Sequence, residues 1–333
     1  MSKTEFYPEW IEKYHVDTLG LSECIERWDY LYQKQKGQIY LCRPWPGITV
    51  WANKVFMETL PCETAGMRYP FVKLNYCIRG RCEVLLENGK YIYLSAGMLS
   101  IDRNQVKGMF RYPTREYEGL EIVFNLAELE KSPLTILDEL GVGAGRLQDF
   151  TESDCGSFIS GVSAKWDMLA KSLTGSLETA EGRIEDYRFY SLELLYLLTA
   201  GHLKPVKKAY VTSGQRRIAD EAEKCICRDL QTVYTVEQLA LRAGVSPSSL
   251  KKYFAMIYGC PISEYIRRKR MEYACALLKD TDQSIADIAE QAGYSHQGKF
   301  GAAFKKCIGQ SPLEYRRGNR IWKQETNTGG KRQ

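Results

Sequence analysis

Ser246, Ser248, Ser249, Lys251 and Lys252 fall within seven residues, and Ser295, His296, Gln297 and Lys299 follow about fifty residues later. Hydroxyl, amide, imidazole and ammonium groups are the donors and acceptors that meet phosphates and base edges on a nucleic-acid duplex. A lysine can reach guanine O6 and N7 or a phosphate oxygen, and the residue types alone leave both open.

Such side chains act together only if a rigid element presents them, and the surrounding sequence repeats. One copy reads Leu239-Ala240, Ala243-Gly244-Val245-Ser246, Leu250, Tyr253-Phe254, Gly259 and Tyr265. The other reads Ile288-Ala289, Ala292-Gly293-Tyr294-Ser295, Phe300, Ala303-Phe304, Gly309 and Tyr315. The offset is 49 up to Ser295 and 50 from Phe300 onward, so one residue is inserted between those two positions. Glycine permits a tight turn after the first helix, serine can cap the next helix, and the small alanine lets the two cross closely. The pattern predicts two helix-turn-helix units whose second helices face a major groove.

In the first unit Ser246 caps the second helix, Pro247 occupies its first position, and Leu250 and Phe254 face inward. Ser248, Lys251 and Lys252 then share the outer face, with Ser249 beside them. In the second unit Phe300 and Phe304 face inward, while Gly298 and Ala302 offer no hydrogen-bonding side chain. His296, Gln297 and Lys299 supply what polar contact remains there, so specificity is expected to lean on the first helix and on DNA bending. Residues 262–279 are expected to form a connecting helix, with Ile262, Ile266, Tyr273 and Leu277 on one face and the run Arg267-Arg268-Lys269-Arg270 within it.

Residues 213–318 resemble the DNA-binding domain of the AraC-type (arabinose-regulator) transcription factors. The resemblance rests on the double AGxS turn, the connector "YIRRKRMEYACALLKDTDQSIADIAEQAGY" and the closing "FKKCIGQSPLEYRR". It implies that the second helices contact bases from positions such as Ser248, Lys251 and Lys252. It also implies recognition helices about 34 Å apart, one turn along the duplex. Members of that family often carry a long polar residue and an arginine where this chain has Gly298 and Ala302. Part of the basic run, with Arg268 as the candidate, would contact phosphates, whereas Arg270 matches a position that packs internally.

Charge follows the same division. Residues 213–320 hold 18 Lys+Arg against 12 Asp+Glu, residues 1–212 hold 25 against 28, and the whole chain carries +5. A basic C-terminal domain on a near-neutral remainder suits phosphate binding.

The 333-residue length and 44% hydrophobic content point to two domains with real cores. Residues 1–206 are expected to form a β-rich domain with trailing helices, 213–318 the all-α domain, and 319–333 a disordered tail. Short β-type runs between 37 and 125 suggest a sandwich or small barrel, and Glu87-Asn88-Gly89-Lys90 suggests a hairpin with a primed turn. The stretch "YCIRGRCEVLLENGKYIYLSAGMLSI" is similar to the cupin-like sensing domain that many AraC-type proteins carry. Trp51, Tyr76 and Arg79 are the candidate effector contacts. Aromatics on strands are more often core, and Arg79 and Arg81, which could bind an anion, are more simply a solvated turn. The helix at 187–203 is either a homodimer contact or intradomain core, and 204–214 reads as a linker.

Enzyme signatures are missing. His15, His202 and His296 are the only histidines and none lies in the strand block, which argues against a metal cupin. Gly141-Val142-Gly143-Ala144-Gly145-Arg146 lacks the Gly-Lys-Ser/Thr ending of a phosphate loop and reads as a turn between helices. No Gly-x-Ser-x-Gly elbow occurs. Eleven cysteines at scattered spacings fit reduced thiols rather than disulfides or zinc, and no metal or other cofactor is expected. The chain shows neither a signal-peptide pattern nor an apolar run of about 18 residues, so a cytoplasmic protein without membrane association is expected. The expected partners are double-stranded DNA, a small-molecule effector, a second copy of the chain and, for an activator, RNA polymerase. A ligand-independent architectural or accessory DNA binder, whose N-terminal domain only oligomerises, is the alternative.

Overall fold

The computed structural model describes residues 16–32, 35–61, 70–103, 109–152 and 157–319. Two compact units divide the chain, Met1–Ser213 and Gly214–Gln333. The tail expected at 319–333 lies outside the described residues apart from Asn319.

The first unit is β-rich. Its strands are β1 (Asp17–Gly20), β2 (Ile25–Tyr32), β3 (Gln35–Trp45), β4 (Ile48–Phe56), β5 (Thr59–Pro61), β6 (Phe71–Leu85), β7 (Tyr91–Ser95), β8 (Met98–Asp102), β9 (Met109–Arg111), β10 (Tyr117–Asn125), β11 (Ser157–Val162) and β12 (Leu203–Lys204). The main sheet runs β1-β2-β3-β4-β10-β6-β8-β11-β12, with β7 paired to β6 and β5 to β9. The order has two free ends, so the barrel expected from the sequence is not closed among the described residues. Three short helices follow β10: α1 (Leu126–Lys131), α2 (Thr135–Glu139) and α3 (Ala144–Thr151). Gly141 and Gly143 sit in the turn between α2 and α3.

Strand alternation sends side chains to two cores. On β6, Val72, Leu74 and Tyr76 join one, which α4 (Ala164–Thr179) and α5 (Ile184–Thr199) cover with Trp166, Leu173, Tyr187 and Leu194. Phe71 and Cys77 join the other, with Trp28, Trp51, Leu94, Phe110 and Tyr117. Full burial of each large apolar side chain contributes about 1.5–3 kcal/mol. Ser163 caps α4 by accepting from the Trp166 amide at 3.2 Å.

Three expectations change. Asn88 does not have positive φ, because Arg115 and Ala180 are the only described non-glycine residues that do, and a primed turn is thereby excluded. The Gly89 amide donates instead to Leu86 O, and Leu86 to Lys90 O, which makes a three-residue loop with a bulge. The helix expected at 187–203 runs Ile184–Thr199, because Gly201 turns left-handed and β12 then pairs with β11. Most of its Leu residues are intradomain core: Leu194, Leu195, Leu197 and Leu198 are all buried. Part of the expected linker also stays with the first unit, since Val211 is buried and bridges to Tyr91.

Tyr76 ties the sheet to the helices. Its hydroxyl donates to Asp167 Oδ1 at 2.5 Å, and Lys171 Nζ donates to Asp167 Oδ2 at 2.8 Å. Burial raises the Asp167 carboxyl, but the two donors outweigh it and hold the group below its usual range. A depressed folded pKa gives stability that is present above the unfolded value and lost as pH falls through the folded one. Tyr76→Phe should therefore lower unfolding stability by about 1.5–3 kcal/mol at neutral pH. It should also flatten the acid limb of a stability–pH profile below about pH 4.

The second unit is helical: α6 (Ser213–Arg228), α7 (Val236–Arg242), α8 (Pro247–Tyr258), α9 (Ile262–Asp280), α10 (Ile285–Gln291), α11 (Gln297–Ile308) and a helical segment over 312–319. Capping boxes start the first helix of each repeat. Thr235 pairs with Gln238, and Ser284 with Asp287, through reciprocal side-chain and backbone bonds. The 19-residue α9, about 28 Å long, serves both halves. Its N-terminal end buries Ile262 and Tyr265, where Tyr265 stacks edge-on against Phe254 and Tyr258. Its C-terminal end buries Met271, Ala274 and Leu278 with Ile288, Phe300 and Phe304. The single stripe read from the sequence is thus corrected: Tyr273 is exposed, and Ile266 and Leu277 are half-buried.

Candidate nucleic-acid interface

The two turns are built alike. Val245 donates its amide to Ala240 O at 3.0 Å and Tyr294 to Ala289 O at 2.9 Å, each closing a helix end around a glycine. In the first unit Ser246 is the N-cap of α8, accepting from the Ser249 amide at 3.2 Å, and Pro247 takes the first position. Leu250 and Phe254 are fully buried. Ser248, Lys251, Lys252 and Ala255 are exposed at helical spacings of three and four, so they share one face. Ser249 is half-buried and its hydroxyl lies 2.9 Å from Ser246 Oγ. Neither Lys251 nor Lys252 forms an ion pair among the described residues.

The second unit differs at its start. Its N-cap is His296, whose side chain makes no capping bond, and Ser295 lies one position earlier and is exposed. The serine cap expected there fails because the inserted residue pushes the helix start one position downstream. Gln297, Gly298, Lys299 and Ala302 are exposed, and Phe300 and Phe304 are buried. Lys305 and Lys306, not singled out by the sequence reading, are also exposed near the end of α11.

Within the basic run, each member has its own surroundings. Arg268 lies over the Tyr265 ring at 5.3 Å and 3.8 Å from Glu272 Oε1, and Lys269 pairs with the same carboxylate at 2.7 Å. Arg270 turns inward and donates to Gly293 O at 3.0 Å and to Thr232 O at 3.2 Å. Burial lowers its pKa, as for a packed guanidinium. Arg267 is exposed and forms no ion pair among the described residues, which makes it, beside Arg268, a phosphate candidate within the basic run.

In the first unit Trp51, Tyr76 and Arg79 do not line one cavity. Trp51 and Tyr76 are buried in the two different cores. Arg79 is exposed and paired with Glu116 at 2.6 Å and Glu118 at 3.6 Å. A different group of polar residues is brought together. Asn75 on β6 stands opposite Glu121 on β10 and Ser100 on β8, and Lys73 stands opposite Asp102. Asp102 in turn faces Ser157. All six are at most 3% exposed. Tyr117 donates to Asn75 Oδ1 at 2.5 Å, and the Lys73 ammonium lies 4.3 Å over the Phe110 ring. Burial raises the Glu121 carboxyl against the pull of Lys73. The sequence signal was available: Lys73 and Asn75, and Ser100 and Asp102, are polar at spacing two inside otherwise apolar strands. Among the described residues no group of His, Cys, Asp and Glu could hold a metal ion, and no helix is long and apolar enough to cross a membrane.

A family model described as a helix-turn-helix domain matches residues 239–318. An AraC-like transcription regulator of Streptomyces lividans is 36% identical over 93 residues, which cover 28% of this chain and 31% of that protein. The transcriptional activator AarP of Providencia stuartii is 32% identical over 105 residues, which cover 32% of this chain and 78% of AarP. The chain belongs to the AraC family of transcriptional regulators. Among solved structures, the C-terminal domain of AraT, a response regulator from Geobacillus stearothermophilus, is 34% identical, covering 32% of this chain and 86% of that one with a TM-score of 0.29. The matched stretches thus cover from about a third to about two-thirds of the first curated relatives.

Proposed function

We propose that this AraC-family regulator reads two neighbouring major-groove segments through α8 and α11, on a DNA-binding domain spanning 213–318. The carrying observation is the repeated helix pair, closed by the same turn bonds and held on one connecting helix. Ser246, Ser248, Ser249, Lys251 and Lys252 contact the first segment, and Ser295, His296, Gln297 and Lys299 the second. Arg268 and Arg267 reach phosphates between them. The first unit, a cupin-like domain over 1–206, senses a small molecule and joins two copies of this cytoplasmic protein. The buried row from Glu121 to Ser157 is the better-supported place for effector action, because charged groups cost stability in an apolar interior and are kept where they serve specificity. Phe189, Tyr196 and Met168, exposed by 69%, 46% and 59% on α5 and α4, favour that face as the dimer contact. The names of AarP and of the transcriptional activator RhaR of Klebsiella pneumoniae favour activation through RNA polymerase.

The test is genome-wide binding of the purified chain to fragmented source DNA at two salt concentrations. Discrete sites about two helical turns long that survive the higher salt are expected. Uniform binding that collapses with salt would leave phosphate attraction alone and favour an accessory role.

A further inference from the structure

Two cysteines that DNA reading does not use meet at one end of the first unit. Cys42 on β3 is fully buried beneath the helices, and its partner across the sheet is Ile25, the first residue of β2. Strict alternation would send Cys24 to the opposite face of the sheet. The chain instead bends over 22–24, with the Leu21 and Ser22 amides both donating to Ile25 O. Cys24 therefore packs against the same apolar core as Cys42, next in the chain to the residue that faces Cys42 across the sheet. Both are reduced. Their access differs: Cys42 is sealed, whereas Cys24 is half-buried and lines an open pocket of about 670 Å3 beside Ser22, Arg43 and Gly182. Its sulfur lies 3.9 Å from Gly182 O and 3.7 Å from Ser22 Oγ. Other close cysteines lack this combination. Cys77 and Cys82 are both buried, and Cys225 and Cys227, two apart on α6, point in different directions.

We propose that Cys24 and Cys42 form a reversible disulfide, with Cys24 as the entry point for a hydroperoxide small enough to use the pocket. The Cys24 sulfur donates an electron pair to the distal peroxide oxygen and the O–O bond breaks. The thiol proton leaves with the other oxygen as an alcohol or water, and Cys24 becomes a sulfenic acid. Cys42 then attacks the Cys24 sulfur, an S–S bond replaces the S–O bond, and hydroxide leaves as water with the Cys42 proton. Two thiols lose two electrons and the peroxide gains them. The bond would staple the turn before β2 to β3 beneath the start of α5. Burial pushes the Cys42 thiol up to about 12, so the second step quickens as pH rises toward that value.

The experiment uses the full chain, freshly reduced, exposed to hydrogen peroxide, alkylated and digested with trypsin. Cys24 and Cys42 then fall in separate peptides, 14–27 and 37–54, each holding one cysteine. A cross-link between these two peptides, reversed by dithiothreitol, is the expected product. In Cys42→Ala the sulfenic acid should persist and be trapped by dimedone at Cys24. In Cys24→Ser, whose half-exposed position tolerates the change, both signals should vanish and Cys42 should stay reduced. The proposal fails if the wild-type cross-link is absent while other thiols oxidise. It fails equally if Cys42 oxidises as readily in Cys24→Ser as in the wild type.

Discussion

Gly293→Ala is expected to cost the second unit about 3 kcal/mol and to abolish specific DNA binding, while Gly244→Ala costs about 1 kcal/mol and leaves binding measurable. The two glycines hold the same place in the repeat and the same left-handed backbone, with φ of 75° and 66°. Alanine pays about 1–2 kcal/mol for that conformation at either site. Beyond Gly244 lies open space. At Gly293 an added Cβ would stand 2.6 Å from the Arg270 guanidinium and 2.6 Å from Leu230 O. The arginine would have to leave, taking its bonds to Gly293 O and Thr232 O with it. Those bonds fasten the chain before α7 and the turn after α10 to α9, so their loss should let the second helix pair move independently of the first. Urea denaturation of both variants, read beside a band-shift titration, decides the matter. Equal losses at the two sites would show that the Arg270 clamp contributes nothing.

Lys251→Ala is expected to weaken specific binding about tenfold to a hundredfold, and Lys299→Ala by less. On α8 the outward face carries Ser248, Lys251 and Lys252, all exposed. The corresponding places on α11 are Gly298, Gly301 and Ala302, which cannot hydrogen-bond a base edge through a side chain. Lys299 sits beside that face, near a helix start that lacks a side-chain cap. The same titrations across salt separate two roles for Lys251. A base contact would make the loss depend on operator sequence, whereas a phosphate contact would weaken all sequences alike and reduce the salt slope by about one. A larger loss at Lys299 would overturn the assignment of specificity to the first helix.

Several features were legible in the sequence because they are local. The repeat of Ala-Gly-x-Ser, the serine cap and Pro247 at the head of α8 depend on backbone geometry within a few residues, and such geometry is dictated by residue type. The inserted residue was equally legible, but its effect on the Ser295 cap was not. One extra residue can be absorbed in the turn or in the helix, and packing of Phe300 against Met271 and Ile288 is what chooses. The inward face of α9 was misread for a related reason. A periodic stripe predicts one buried face, yet this helix meets a separate core at each end.

In the first unit the sequence by itself determined that most strands precede the helices, since alternation and turn residues act at short range, but it did not show β11 and β12, which return to the sheet after α3 and α5. Only the tertiary structure decided which strands are neighbours, and therefore that Asn75 stands between Glu121 and Ser100 and that Cys24 and Cys42 share one core. Residues separated by tens of positions share a site only through strand pairing, which depends on the free energy of burying whole faces rather than on any one residue's preference. Trp51 and Tyr76 illustrate the point. Each is an aromatic residue on a strand, and only the register places one on each side of the sheet.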